Sequence, residues 1–248
     1  RLLIDSVLSN RNVCKAHTKE LIKKLTDEGG KYFRNYAKHV TNLDDWQKDD
    51  NRDYFYNIEL CCEARDAEAQ IAFYYNYFDI DKLRRKNKPE KSTVSPYRLF
   101  LKNGHYYLAC NYIKHDNLVF IRLDRMSEVE ILKCAAKPLK QVENCKDGIN
   151  PGKIDSCHPF MYVDTPTRIE FVTANYAAHM IDNVIDTFGR NIDISDMGDG
   201  NYKFALTATP RSMRFWLLQY AKYVKILSPQ SLVDQIRSDI AEMSKLYS

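Results

Sequence analysis

The spacing of apolar residues divides the chain into a helical beginning, an alternating middle and a mixed end. Leu2, Leu3, Val7 and Leu8 recur at helical spacing and predict a helix from Arg1 to Ser9. Leu21, Ile22 and Leu25 stripe a second helix from about Thr18 to Asp27, with Thr18 as its cap and Gly29-Gly30 as its stop. Residues 31–56 are aromatic and polar without a clean period and read as an ordered connector. Asn57 then caps a helix to about Ala69, with Ile58, Cys61, Cys62 and Ala69 facing inward. From Gln70 the period becomes two. Ile71–Phe78, Thr93–Lys102, His105–Tyr112, Leu118–Asp124 and Glu128–Lys133 read as short strands. Asn103-Gly104 is a strong two-residue hairpin signal, and His115-Asp116-Asn117 is the next turn. Strands this short and close together predict a small five-stranded antiparallel barrel over residues 70–135.

Residues 136–166 hold four of the eight prolines and two of the eight glycines and read as a connector between domains. Beyond it the pattern alternates between the two periods. Arg168–Thr173 is a strand, and Tyr176–Phe188 a helix closed by Gly189. Ile192–Asp196 and Tyr202–Thr207 are strands, Ser212–Ala221 a helix and Val224–Leu227 a strand. Ser228 as cap and Pro229 at the first helical position open a last helix, in which Leu232, Ile236, Ile240 and Met243 share a face. That order, βαββαβ with a trailing helix, is ferredoxin-like. The fold class expected is therefore α+β. Its parts are helices and connector over 1–69, a barrel over 70–135, a connector over 136–166 and a ferredoxin-like domain over 167–248.

Composition narrows the function. A length of 248 residues favours two domains, and 44% hydrophobic with 28% charged residues is an ordinary globular balance. No apolar run approaches the ~20 residues of a membrane span, and no secretory signal opens the chain. Seven cysteines, an odd number without a C-x-x-C pair, read as free thiols in a reducing cytoplasm. Neither Cys61-Cys62 nor Cys157-His158 has chelating spacing, so no metal is expected. Nucleotide-binding glycine loops, nucleophile elbows and zinc-protease signatures are absent, so neither an enzyme nor a cofactor is expected. The chain opens in what reads as a helix interior with no cap before it. The expectation is that an N-terminal segment has been cut away.

Charge is uneven. The whole chain carries a net +4, too mild by itself to mark a nucleic-acid binder. Residues 71–135 hold 12 Lys/Arg against 7 Asp/Glu and 7 of the 17 tyrosines. Six of those basic residues, with one acidic, lie in 82–91. Basic and aromatic residues interleaved this way neutralise phosphates and stack bases. The same residues also suit half-buried strands and a solvated, mobile loop. Arg122 and Arg125 flank Leu123-Asp124 at a strand end, where a guanidinium fork matches phosphate oxygens or closes an ion pair with Asp124. Regular alternation puts Arg125 on the opposite side from Arg122. Tyr97 stacks a base or packs the barrel, and His105, beside the hairpin, is a ligand contact or a surface residue. Trp216, among Phe215, Leu217 and Leu218, reads as core or dimer contact.

Three stretches together resemble a WYL-domain transcriptional regulator: Ser95-Pro-Tyr-Arg-Leu-Phe-Leu-Lys-Asn-Gly-His-Tyr-Tyr-Leu108, Phe120-Ile-Arg-Leu-Asp-Arg-Met126 and Val224-Lys-Ile-Leu-Ser-Pro-Gln-Ser-Leu232. The triplet that names the family is here Tyr106-Tyr107-Leu108, so the Trp is a Tyr. The third stretch resembles the family's C-terminal WCX extension, with Ala221 where relatives often have Gly. The resemblance implies linker helices, an Sm-like (SH3-like) WYL barrel and a ferredoxin-like WCX domain. It implies a homodimer whose missing N-terminal winged helix-turn-helix binds DNA, and an effector pocket lined by Arg122, Arg125 and Tyr107. An anionic nucleotide or single-stranded oligonucleotide is the expected effector, held by Arg122, Arg125, Tyr107, Tyr97 and His105. Relatives often carry a further basic residue earlier in the Arg122 strand, where this chain has Val119 and Phe120. The alternative is an Sm-like RNA-binding module that acts without a winged helix.

Overall fold

A computed structural model describes residues 2–29, 48, 51–81, 83–173, 179–198 and 200–248. The chain forms two compact units, residues 1–147 and 148–248. The fold is α+β, with an antiparallel half-barrel in the first unit and a four-stranded antiparallel sheet in the second.

The first unit opens with α1 (Leu2–Ser9) and α2 (Lys15–Glu28). Lys48 donates to the carbonyls of Val7 and Asn10, capping the end of α1. The cap of α2 is Cys14 rather than Thr18. Thr18 is buried inside the helix, and its hydroxyl donates to the Val13 carbonyl. Gly29 ends α2 as expected. Most of the aromatic connector lies outside the described residues. The next helix, α3 (Tyr54–Asp66), starts a turn earlier than the Asn57 signal suggests. Tyr54 is fully buried there, while Asn57 faces inward and donates to the Met126 carbonyl at 3.1 Å. An asparagine that reads as a cap in sequence is here a buried tie between helix and sheet. Cys61 and Ala64 carry the inner face, and burial pushes the Cys61 thiol up to about 12.

The sheet comprises β1 (Ala69–Phe78), β2 (Arg84–Lys86), β3 (Ser92–Lys102), β4 (His105–Tyr112), β5 (Val119–Arg122) and β6 (Met126–Ala135). Five strands run in the order β6-β1-β3-β4-β5, and β2 pairs with the end of β1. The basic run expected as a loop thus contains a short strand, because antiparallel pairing of Arg84–Lys86 with Asn76–Phe78 satisfies its backbone. Asn103 and Gly104 have φ of 50° and 74°, the left-handed pair of a tight hairpin, with Lys102 opposite His105. Ile71, Phe73, Val94, Leu108, Cys110, Ile121, Leu123 and Met126 pack with Tyr54, Cys61 and Ala64 into one core. Each buried Phe or Leu contributes about 1.5–3 kcal/mol to that core. The stretch after β6 is not featureless. A short 3-10 turn at Leu139–Gln141 is followed by buried Val142 and Cys145.

In the second unit, α4 (Pro151–Cys157) lies inside the expected connector, with the Asn150 side chain accepting from the Gly152 and Lys153 amides. Then follow β7 (Thr167–Thr173), α5 (Met180–Phe188), β8 (Asp193–Gly198), β9 (Asn201–Ala208), α6 (Pro210–Tyr220), β10 (Val224–Ser228) and α7 (Gln230–Leu246). The strand order β10-β7-β9-β8, all antiparallel, is the ferredoxin-like arrangement. The expected start of α5, at Tyr176, lies outside the described residues. Gly189, at φ 79° and ψ −175°, closes that helix in a conformation that only glycine adopts readily. Pro229 rather than Ser228 caps α7. Trp216 packs edge-on or tilted against Phe171, Phe188 and Tyr220 in the core, as one of the two sequence readings expects.

Candidate nucleotide-binding site

The strand pairing places the first two candidate residues. Tyr107 of β4 lies opposite Arg122 of β5, so their side chains share one face of the sheet. His105, two residues earlier on β4, lies on that face as well. β5 ends at Arg122, and Leu123–Arg125 form a 3-10 turn. The turn folds Asp124 back onto its neighbour. Arg122 Nε donates to Asp124 Oδ1 at 2.9 Å, and Nη2 donates to Oδ2 at 2.8 Å. Asp124 is only 2% exposed. Burial alone would raise its carboxyl, but the hydrogen bonds and charge of Arg122 outweigh that and hold it below the usual carboxylate range. Burial likewise works against the Arg122 cation, and the bonds to Asp124 more than offset it.

The same turn corrects the alternation argument for Arg125. Alternation holds only while the strand stays regular, and here the strand has stopped. Arg125 closes the 3-10 turn instead of continuing the strand, and its charge reaches both His105 and Tyr107. The Tyr107 hydroxyl is raised mainly by burial, against the lowering influence of Arg122. His105 is half-buried, with Nδ1 at 2.9 Å from Asn12 Oδ1 and 3.1 Å from Arg122 Nη2. Burial lowers its pKa first and the charge of Arg122 next, against an opposing effect of Asp124, with lesser lowering by Arg11 and Arg125.

Tyr97 is not brought to this cluster. It sits where the β3–β4 register slips between Pro96 and Arg98, and its hydroxyl donates to the Lys137 carbonyl at 2.8 Å. Burial pushes that hydroxyl up to about 12. The Lys137 amide also donates to Ser95, so Tyr97 and Ser95 together fasten the chain after β6.

Arg84 joins the cluster, and sequence reasoning missed it. Its Nη2 lies 3.4 Å from Asp124 Oδ2, and its guanidinium covers the Phe78 ring at 4.5 Å. Within six basic residues taken as a loop, nothing marked it out, because a three-residue strand is too short to show alternation. Its neighbours meet acids elsewhere. Arg85 pairs with Asp79 and Asp81, Lys86 with Glu128, and Lys91 with Glu130. Arg85, Lys86 and Lys91 are therefore compensated where they stand. Arg84 and Arg122 meet instead at one buried carboxylate, Asp124.

Among the described residues no group of His, Cys, Asp and Glu has metal-binding geometry, and no helix is long and apolar enough to cross a membrane. A groove of about 730 Å³ lies in the second unit between α6 and α7. It is lined by Phe215, Leu218 and Met243 and crossed by the Arg214–Asp239 pair, and its arginines, Arg211 and Arg214, share it with Asp164, Asp239 and Glu242.

Residues 58–131 match the WYL domain family, and residues 166–244 match the WCX domain family. The chain belongs to the WYL-domain family. WYL and WCX are regulatory rather than enzymatic domains, which makes this a regulatory region. Among solved structures, the chain is similar to proteasome accessory factor B/C (PafBC) of Arthrobacter aurescens, at 15% identity and a TM-score of 0.34, over 83% of this chain and 28% of that one. It is also similar to a CRISPR Cas-related protein, at 15% identity and a TM-score of 0.48, over 95% of this chain and 65% of that one. The chain thus spans under two thirds of either. No curated protein matches the sequence.

Proposed function

We propose that this WYL–WCX chain is the effector-sensing and dimerising region of a cytoplasmic DNA-binding transcriptional regulator. Its half-barrel takes an anionic nucleotide or a short single-stranded oligonucleotide. The observation that carries this is the preset guanidinium of Arg122. Asp124 grips it from one side, Tyr107 stands beside it in register, and Arg84 and Arg125 add positive charge. An arginine held this way has already lost its side-chain freedom, so a phosphate meets a fixed fork. Arg122 and Arg125 contact phosphate, Tyr107 stacks a base, and Tyr97 acts through the scaffold. Operator DNA is read in this account by a winged helix-turn-helix joined to the N-terminal helices.

Titration of a labelled single-stranded oligonucleotide at two salt concentrations tests the reading. Log affinity should fall with log salt by roughly 0.7 per phosphate engaged. Arg122→Ala should weaken binding and flatten that slope. Tyr107→Ala should lose about 1–3 kcal/mol that survives high salt. Equal binding by wild type and Arg122→Ala, with equal slopes, would remove the site. Self-association is supported by Phe215, Leu218, Ile240 and Met243, which remain 43% to 54% exposed on α6 and α7. Light scattering across a concentration series should report twice the chain mass. A monomer throughout would refute the dimer.

A further inference from the structure

His105 lies between two groups that compete for one nitrogen. Asn12, in the turn between α1 and α2, is 2% exposed. Its Nδ2 donates to the Gly104 carbonyl, which accepts only, so the amide orientation is fixed. The atom that Asn12 turns to His105 is therefore Oδ1, an acceptor. Arg122 Nη2, a donor that never loses its proton, points at the same His105 Nδ1. A ring nitrogen either carries hydrogen or offers a lone pair. Nδ1 satisfies Asn12 when protonated and Arg122 when not, and it cannot satisfy both.

We infer that His105 is a tautomeric switch that couples anion binding at Arg122 to the docking of the α1–α2 helices on the β3–β4 hairpin. The inference rests on the proposed anion site. Without ligand, the charge-assisted bond from Arg122 wins, and His105 holds its single proton on Nε2. Asn12 Oδ1 then faces a lone pair, and the helices are docked less firmly. Asp124 occupies the Nε/Nη2 edge of the guanidinium. A phosphate that takes the adjacent Nη1/Nη2 fork claims the Nη2 hydrogen that His105 was accepting. The imidazole releases its Nε2 proton to water and takes one from water on Nδ1, staying neutral. Nδ1–H now donates to Asn12 Oδ1 and tightens the helix pair. Arg11, Arg122 and Arg125 act together against protonation of both nitrogens. The coupled element is the helix pair at the N-terminal end of the chain.

The probe is a 5′-phosphorylated thymidine tetranucleotide added to the full 248-residue chain. Two-bond proton–nitrogen NMR of the histidine rings should show His105 Nδ1 unprotonated in the free protein and protonated at saturation. Hydrogen exchange across residues 2–28 should slow about fivefold or more at saturation. Asn12→Ala should weaken tetranucleotide binding by that same factor, since the coupling is reciprocal. His105→Gln has a separate donor and acceptor, serves both partners at once and should show no ligand-dependent change in exchange. That variant keeps the helices docked, which covers the case in which Asn12→Ala loosens them outright. A His105 tautomer that stays the same at saturation, or His105→Gln that retains the protection change, overturns the switch while leaving the binding site in place. Failure of wild type to bind the tetranucleotide overturns the proposed function, and the switch with it.

Discussion

Asp124 concentrates the site's energetics in one side chain. It is buried, bonded twice to Arg122 and approached by Arg84. Removing one partner of such a pair leaves uncompensated charge, so Asp124→Ala should destabilise the first unit by about 3 kcal/mol in urea unfolding. A loss below 1 kcal/mol would show the pair to be dispensable. The carboxyl is held below its ordinary value of 3.8, so its contribution is present above pH 3.8 and lost as pH falls through the lower folded value. His105 has the same sign. Its pKa is lowered from 6.5, so stability is full above pH 6.5 and declines as pH falls toward the folded value. His105→Gln should flatten the stability profile just below pH 6.5, and an unchanged profile would contradict the burial argument.

Elements were legible where a local rule forced them. Asn103-Gly104 announced the hairpin because only left-handed residues fit its turn, and both have positive φ. Gly104→Ala should therefore cost about 1 kcal/mol, measured by denaturation, although space beside it is open. Asn57 was legible only as a polar residue before an apolar stripe. Its use as a buried donor to Met126 depends on a strand seventy residues away, which no local pattern encodes. Asn57→Ala should cost about 1 kcal/mol of stability, and a neutral effect would mark the bond as redundant with Asn51, which donates to the same carbonyl. That Arg122 and Tyr107 line one site was implied by the family resemblance, and the β4–β5 register supplies their pairing. The place of Arg84 was not legible, because it depends on a short strand fixed by tertiary contacts.

At the scale of the molecule, two units each hold their own core, one around Phe73 and one around Trp216. Fragments 1–147 and 148–248 should therefore fold separately, each with a cooperative unfolding transition by circular dichroism. A fragment without a transition would show that its core is incomplete. The family assignment rests on both units, WYL in the first and WCX in the second. The proposed recognition of phosphate depends on Arg122 as a fork fixed by Asp124 and not merely as a positive charge. Arg122→Lys keeps the charge and removes the fork. Calorimetric titration of a phosphorylated oligonucleotide should find the Lys variant about tenfold weaker than wild type, a loss of roughly 1.4 kcal/mol, with a similar salt slope. Binding by Arg122→Lys as tight as wild type would contradict the account.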